Sequence, residues 1–346
     1  MRIGVVAPPW TPVPPPLYGG TELIVDLLCR GLQAAGHDVV LFTTGDSTCP
    51  VPRRWALPEA EGFRMGMSAP EAHHVLAAYA DIAELELDVV HDHTIVGPIY
   101  AESIPGLRVV GTAHGPFDAD LRAFYGYVAR RHALVCISHH QRSTAPEVPV
   151  AAVIHHGIDA SAFRFGQGRG GYALYLGRMA RDKGAHRAIE AARKAGVPLK
   201  LVAKMREPAE RAYFEAEVAP LLSDEVTYLG EVGQDEKIAL LSEAIALVNP
   251  IRWPEPFGLV MTESLACGTP VVTFAEGAAP EIVEHGRTGF VCADEAEMAE
   301  GIIQAATLDR GACRAAVEGY FSVERMVADH VALYQALADG LRPRVK

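Results

Sequence analysis

The sequence lacks several features that would assign it to common protein classes. Its six cysteines are scattered without Cys-x-x-Cys spacing. Three of them, Cys29, Cys136 and Cys267, lie in apolar segments and are expected to be reduced core residues. No apolar run approaches the length of a membrane span, and the chain begins with a short strand followed by prolines, so we expect neither a transmembrane segment nor a secretion signal. These absences predict a cytoplasmic protein.

Long basic runs are also missing. The net charge of the 346 residues is −12, which argues against nucleic acid as a partner. Hydrophobic residues make up 49% of the chain and charged residues 21%, a balance typical of soluble globular proteins. The length suits two domains of ordinary size. The composition leaves the oligomeric state open, and a homodimer is compatible with it.

A third absence concerns metal ligands. No Asp-x-Asp triplet stands at a predicted strand end to hold a divalent cation. His91 and His93, two positions apart at the end of a predicted strand, could in principle ligate a metal, but no third ligand is adjacent. We therefore predict a protein with no metal and no cofactor, and we keep the histidine pair as an alternative.

What is present is an alternation of short apolar strands and amphipathic helices through the whole chain. This alternation predicts an α/β protein with doubly wound sheets. Residues 160–171 carry four glycines and no apolar period, which is typical of an interdomain linker. We accordingly predict domains over 1–159 and 172–322, followed by a C-terminal segment, 323–346, that begins with an amphipathic helix.

The most informative stretch is 252–270, RWPEPFGLVMTESLACGTP. Flanking prolines keep Glu255 out of a helix, which we predict over 259–267 with Glu263 about one turn inside it. Gly258 removes a side chain where this helix opens, so that free N–H groups can face an anion closely. The pattern predicts two carboxylates on either side of a phosphate-sized nest. The alternative is a solvated loop leading into an ordinary amphipathic helix.

The spacing E-P-F-G-L-V-x-x-E-x-L-A-x-G-x-P-V resembles the Glu-x7-Glu signature of retaining GT-B glycosyltransferases of family 4, also called group 1. The resemblance implies a GT-B fold, in which two Rossmann-like domains face a central cleft. It implies that Glu255 holds hydroxyls of the donor sugar and that Glu263 holds the ribose. Further donor contacts are expected from the helix opening, at Phe257, Gly258, Leu259 and Val260.

Two loops of the first half carry related signals. Gly19 and Gly20 precede a predicted helix with Thr21 as its N-cap, and paired glycines let the backbone approach a phosphate or sugar. His114 lies just past a strand's carboxyl end, where α/β proteins bind ligands. In the resembling family the G-G-T-E loop lies against the diphosphate and the acceptor site. The family's T-x-H-G motif, here with His114, carries the active-site histidine near the sugar's 6-hydroxyl and the acceptor.

The second half places cations at comparable positions. Arg178 and Lys183 flank the loop between a strand and a helix predicted to begin near Lys183, which suits a diphosphate. The motif G-R-x4-K-G resembles the diphosphate clamp of the family. Lys204 ends the next strand where family members often carry Gly, so it could add a donor toward phosphate or sugar. His156 stands where the family more often has Asn.

Taken together, the resemblance implies an enzyme that moves a hexose with retained configuration and without a metal. The expected donor is UDP-glucose, bound mostly by the second domain. The expected acceptor is a small molecule or a glycan, bound by first-domain loops near 8–20 and 114–125. The segment 323–346 would cross back onto the first domain. Two alternatives stay open: a GT-B sugar-nucleotide 2-epimerase and a non-catalytic nucleotide-sugar binding module.

Overall fold

The chain folds into two compact α/β units. The computed structural model describes residues 1–341 and 343–345. One unit comprises Met1–Gly157 together with the residues from Val323 onward, and the other comprises Ile158–Ser322. None of the helices in these described residues has the length and apolar content needed to cross a membrane.

The first unit is built on a parallel sheet of short strands, and its central strands are apolar and mostly buried. Within the described part of the chain its order is β3-β2-β1-β4-β5-β6-β7. The direction of winding reverses between β1 and β4, which creates a crevice at the carboxyl ends of these strands. The strands are β1 Arg2–Val6, β2 Asp38–Phe42, β3 Arg53–Arg54, β4 Val89–Asp92, β5 Val109–Ala113, β6 Ala133–Cys136 and β7 Ala152–Val153.

Helices lie between most of these strands along the chain. They are α1 Gly20–Ala34, α2 Ser68–Ala83, α3 Gly97–Tyr100, α4 Ala119–Val128 and α5 His139–Ser143, with 3-10 turns at Gly62–Arg64 and Ala101–Ser103. The N-cap of helix α1 is Gly19, two residues before the predicted N-cap Thr21. The reason is that Leu23 N donates to Gly19 O over 3.1 Å, which closes the first turn on Gly19.

The C-terminal segment begins with helix α13, Val323–Ala338, which belongs to the first unit. It packs along α1, and the contact is close because Gly31 has no side chain: a Cβ there would lie 2.5 Å from Val327 Cγ2. Of the predicted segment 323–346, residues 342 and 346 lie outside the described residues.

The second unit repeats the architecture. For the residues that the structure describes, its parallel sheet has the order β10-β9-β8-β11-β12-β13, with the winding reversed between β8 and β11. The strands are β8 Ala173–Arg178, β9 Leu199–Lys204, β10 Val226–Gly230, β11 Leu247–Asn249, β12 Val271–Phe274 and β13 Gly289–Cys292. Small and β-branched side chains from these strands and from the helices fill a continuous core.

The helices of the second unit alternate with its strands along most of the unit. They are α6 Ala185–Ala195, α7 Pro208–Tyr213, α8 Gln234–Glu243, α9 Leu259–Ala266, α10 Ala279–Ile282, α11 Glu295–Ala305 and α12 Arg310–Tyr320. A π-helical turn follows α7 at Phe214–Val218, and 3-10 turns lie at Ala160–Ala162 and Ala219–Leu221.

The predicted linker is corrected by the structure. Residues 160–171 are part of the second unit and run along its surface as an ordered strip. Gly166 N donates to Cys267 O over 2.9 Å, and Gly168 N donates to Ser242 O over 3.2 Å. The glycines that suggested flexibility instead permit this close backbone packing. The change of unit falls between residues 157 and 158.

Candidate active site

Helix α9 opens at Gly258, as the sequence predicts. Gly258 has a φ of +99°, which favours glycine, and a Cβ added to it would lie 2.7 Å from Met261 Cε. The first N–H groups of the helix, at Leu259 and Val260, have no acceptor within the helix because no turn precedes them. Together with the helix dipole they make a site suited to an anion. The helix ends at Ala266, one residue before the predicted end.

Glu255 lies on the loop before α9 and is held by two side chains. Lys183, from the turn that precedes α6, forms an ion pair with its Oε2 atom. Trp253 donates its indole N–H to the same oxygen over 3.2 Å. The side chains of Lys183 and Glu255 are 16% and 21% exposed, so both are partly shielded and still reachable by a ligand. The sequence predicted roles for Lys183 and Glu255 but not for Trp253, which contacts the same carboxylate oxygen as Lys183.

The loop that carries Glu255 is fixed by Gly277. Ala278 N donates to Glu255 O over 2.9 Å. Gly277 has a φ of +57°, and a Cβ there would lie 2.3 Å from Glu255 O and 2.5 Å from Glu255 N. A side chain at position 277 would therefore displace the backbone of Glu255.

Glu263 has a lysine partner of its own. Lys237 Nζ lies 2.7 Å from Glu263 Oε1, and the two side chains are only 18% and 7% exposed. Lys237 lies near the start of α8, after Gly233, and sequence reasoning missed it. Each acid of the Glu-x7-Glu signature is thus paired with one lysine.

Arg178 and Lys204 end adjacent strands. They are direct register partners at the carboxyl ends of β8 and β9, so the sheet brings both cations to one edge. The Arg178 guanidinium lies 3.7 Å from Glu207 and 3.8 Å from Glu210. These carboxylates hold Arg178 at the edge of the sheet. Its place in a diphosphate clamp stays a prediction.

Phe257 contributes to the core with its side chain. The ring is buried and lies edge-on to Phe321, with 6.0 Å between the centroids. Only the backbone of Phe257 is therefore available for a donor. The contact of Phe257 with a donor stays a prediction.

The first unit holds the other predicted residues. Gly19 and Gly20 lie at the start of α1, which follows β1. His114 follows the carboxyl end of β5, and its Nε2 lies 2.8 Å from His93 Nδ1. The His156 ring stacks on it, with 5.4 Å between the centroids and 23° between the planes. Burial lowers the pKa of His114 to about 4, so the ring is neutral at pH 7.

The alternative of a metal bound by His91 and His93 finds no support. In the described ranges, histidine, cysteine and carboxylate side chains nowhere form a group of three that could hold a metal ion. His91 instead uses both ring nitrogens within the protein, toward Tyr334 Oη at 2.6 Å and Thr112 Oγ1 at 2.7 Å.

Two α/β units, each built on a parallel sheet, define the class: the protein has the GT-B fold of glycosyltransferases. Sucrose-phosphate synthase from Thermosynechococcus elongatus has a similar structure, with a TM-score of 0.83, 21% identity and coverage of 98% of this chain and 99% of that one. HepE from Anabaena, solved in complex with UDP-glucose, gives a TM-score of 0.75 with 20% identity and coverage of 98% and 100%.

The family follows from the sequence match. Residues 18–162 match the family model described as Glycosyltransferase Family 4, and residues 163–318 match the one described as Glycosyl transferases group 1. The chain belongs to this family of glycosyltransferases. A curated relative, glycogen synthase from Mycobacterium tuberculosis, is 29% identical over 347 aligned positions, which cover 85% of this chain and 82% of the relative.

Proposed function

We propose that this glycosyltransferase moves a hexose, with glucose as the first candidate, from a UDP-linked donor to a small-molecule or glycan acceptor. The transfer retains the anomeric configuration and needs no metal. The observation that carries the proposal is the arrangement around α9, where Glu255 and Glu263 stand on either side of a helix opening and each is paired with a lysine. The UDP-glucose complex of the structurally similar HepE supports the choice of donor.

In this proposal the two acids orient the donor. Carboxylate oxygens accept hydrogen bonds from hydroxyl groups, and each has lone pairs left beside its lysine contact. Glu255 holds hydroxyls of the sugar and Glu263 holds the ribose. Lys237 and Lys183 keep the carboxylates in place before the donor arrives. The donor's position is thereby set by groups that are already ordered, which favours reaction.

The leaving group is stabilised by positive potential from the protein. Lys183, Arg178 and the N–H groups at Gly258, Leu259 and Val260 surround the diphosphate. Lys204 adds a fourth source of charge from the neighbouring strand end. These preorganised cations and N–H groups stabilise the negative charge that develops on the diphosphate as the sugar–phosphate bond breaks. On donor binding, Lys183 turns part of its interaction from Glu255 to the diphosphate.

Retention follows if the leaving phosphate takes the proton of the acceptor hydroxyl. The acceptor then attacks from the face that the phosphate leaves, and no side chain acts as a nucleophile. His114, Gly19 and Gly20 contribute from the first unit, where His114 contacts the sugar or acceptor and the glycine pair lies near the phosphates and the acceptor.

Incubation of the full chain with UDP-glucose, followed by product analysis, tests the proposal. Slow release of UDP and glucose, and faster release with an acceptor, is the expected result. A new sugar epimer would instead show an isomerase, and binding without turnover would show a binding module. Glu255→Gln should abolish release, whereas Glu284→Gln, which alters an exposed pair with Arg287, should leave it unchanged. Equal release by both variants would contradict the assigned site.

A further inference from the structure

The first unit contains a row of five neighbouring histidine rings. Ring centroids are separated by 4.1 Å between His91 and His93, by 5.1 Å between His93 and His114, and by 5.4 Å between His114 and His156. His330, from α13, lies 5.0 Å from His91. His114, the residue proposed to contact substrate, lies in this row between His93 and His156, so a neighbouring ring can act on it.

His93 is the member that touches His114. Its Nδ1 lies 2.8 Å from His114 Nε2. Its other nitrogen, Nε2, is buried and has no hydrogen-bond partner among the residues the structure describes. The direction of the hydrogen bond between the rings therefore decides whether the buried Nε2 of His93 carries a proton or a lone pair.

Both rings are neutral. Burial is the main cause that lowers the pKa of His93 well below its usual value, and it lowers the pKa of His114 to about 4. In a pair of neutral rings one nitrogen donates and the other accepts. If His114 donated, the proton of His93 would stand on Nε2 as a buried N–H without an acceptor. If His93 donates, only a lone pair is left there, and orphaned N–H groups are the rarer case in proteins.

We propose that His93 is a positioning residue that donates its Nδ1 proton to His114 Nε2 and so fixes His114 as the Nδ1–H tautomer. His114 then presents an N–H group to a hydroxyl oxygen of the sugar or of the acceptor. The half-buried side chain of His114 makes no other hydrogen bond through Nδ1 within residues 1–341 and 343–345. The role toward substrate rests on the proposed function.

The chemical consequence concerns the proton of the acceptor. A histidine that carries its proton on the substrate side donates a hydrogen bond and does not accept a proton there. His114 therefore orients a hydroxyl and does not act as a general base. The proton of the acceptor hydroxyl then goes to the leaving phosphate, as in the proposed retaining mechanism. The Nδ1–H group of His114 also selects among ligands, because it needs a ligand that places a hydrogen-bond-accepting oxygen beside it.

The tautomer of His114 can be read directly. Two-bond 15N–1H correlation spectra of the full chain, labelled at histidine ring nitrogens and compared with His114→Asn for assignment, distinguish the two neutral tautomers. We expect the Nδ1–H form at pH 7. An Nε2–H form in the unaltered chain would overturn the proposal. This reading needs no turnover, so it stands or fails separately from the proposed function.

Two variants test the part played by His93. In His93→Asn the side-chain amide lies where Nδ1 was and can still donate, whereas in His93→Gln it lies where Nε2 was. We expect His93→Asn to keep the Nδ1–H form and to stay within about threefold of the original kcat. His93→Gln should mix the tautomers and lower kcat roughly tenfold, the effect of losing one hydrogen bond, with KM little changed.

The comparison also excludes a merely structural role. Urea unfolding of both variants shows whether each is folded, and the tautomer of His114 is then compared at equal folded fraction. Equal tautomer populations in the two folded variants, or an equal loss of kcat, would overturn the assignment of His93. Activity that is absent from the unaltered chain with every donor would contradict the proposed function, while the tautomer result would keep its meaning.

Discussion

Lys237 reaches Glu263 from 26 positions earlier in the chain, with 2.7 Å between Nζ and Oε1. The pair is almost enclosed, at 18% and 7% exposure of the two side chains. An exposed pair of this kind contributes about 1 kcal/mol at most. Removing one partner of an enclosed pair costs more, because the remaining charge stays buried without compensation.

The first prediction concerns this pair and stability. Lys237→Met should lower the free energy of unfolding by about 2–3 kcal/mol, and the double variant Lys237→Met/Glu263→Gln should recover most of that loss because the uncompensated charge is gone. Urea titration measures both. Arg287→Met, which breaks an exposed pair with Glu284, serves as the control and should change stability by less than about 1 kcal/mol. A Lys237→Met protein as stable as the original would contradict this account.

The second prediction concerns Lys183 and the diphosphate. Lys183→Met should weaken UDP binding roughly tenfold to hundredfold, the loss expected for one charged hydrogen bond of about 1.5–3 kcal/mol, and should leave uridine affinity within about twofold. Calorimetry with both ligands measures the difference. Lys200→Met, at a lysine that stacks on Tyr172 in the same unit, is the matched control. Equal weakening of UDP and uridine would remove Lys183 from the clamp.

The third prediction concerns the loop that carries Glu255. Gly277→Ala should reduce both stability and donor turnover, because its Cβ would meet the backbone of Glu255 at 2.3 Å. Gly286→Ala is the control: its φ of +77° imposes a similar backbone cost, but a Cβ there would meet nothing within 4 Å. Gly286→Ala should lose about 1 kcal/mol of stability and keep its turnover. Similar turnover in the two variants, measured as UDP release, would contradict the role of Gly277.

The fourth prediction concerns pH. Burial lowers the pKa of His330 to about 4, below its ordinary value of about 6.5. Between these values the unfolded chain binds the proton and the folded chain does not, so stability is lost as the pH falls from about 6.5 to 4. His330 contributes up to about 1.4 kcal/mol per pH unit to this loss.

His330→Asn tests this contribution. His330 Nδ1 lies 2.8 Å from Met326 O, and an asparagine amide can keep that hydrogen bond without titrating. Urea titrations at pH 7, 6 and 5 should therefore show a smaller fall in stability for His330→Asn than for the original chain. If the free energy of unfolding fell equally with pH in the two proteins, His330 would not be responsible for the loss of stability at low pH.

Much of this site was predictable because its signals are local. Prolines, Gly258 and the apolar spacing lie within one stretch, and they placed α9 and both glutamates within one residue of the observed bounds. Motif spacing likewise placed Arg178 at the end of β8 and His114 just beyond β5. Each of these depends on residues that are neighbours in sequence.

What could not be predicted depends on residues that are far apart in the chain. The partners of Glu263 and His114, Lys237 and His93, lie 26 and 21 positions away and reach them only through the packing of helices and strands. The prediction of an interdomain linker over 160–171 differs from the structure for a related reason. Its glycines predict flexibility when taken alone, but their backbone N–H groups find acceptors on the second unit.

Proton NMR of the first sugar released shows whether the enzyme transfers glucose from UDP-glucose with retention and without a metal. The full chain is mixed with UDP-glucose in excess EDTA, and the anomeric signals are followed from the first minutes, before mutarotation equilibrates them. α-Glucose should appear first, at a rate that EDTA leaves unchanged. Early β-glucose, or activity lost in EDTA and restored by magnesium, would contradict it.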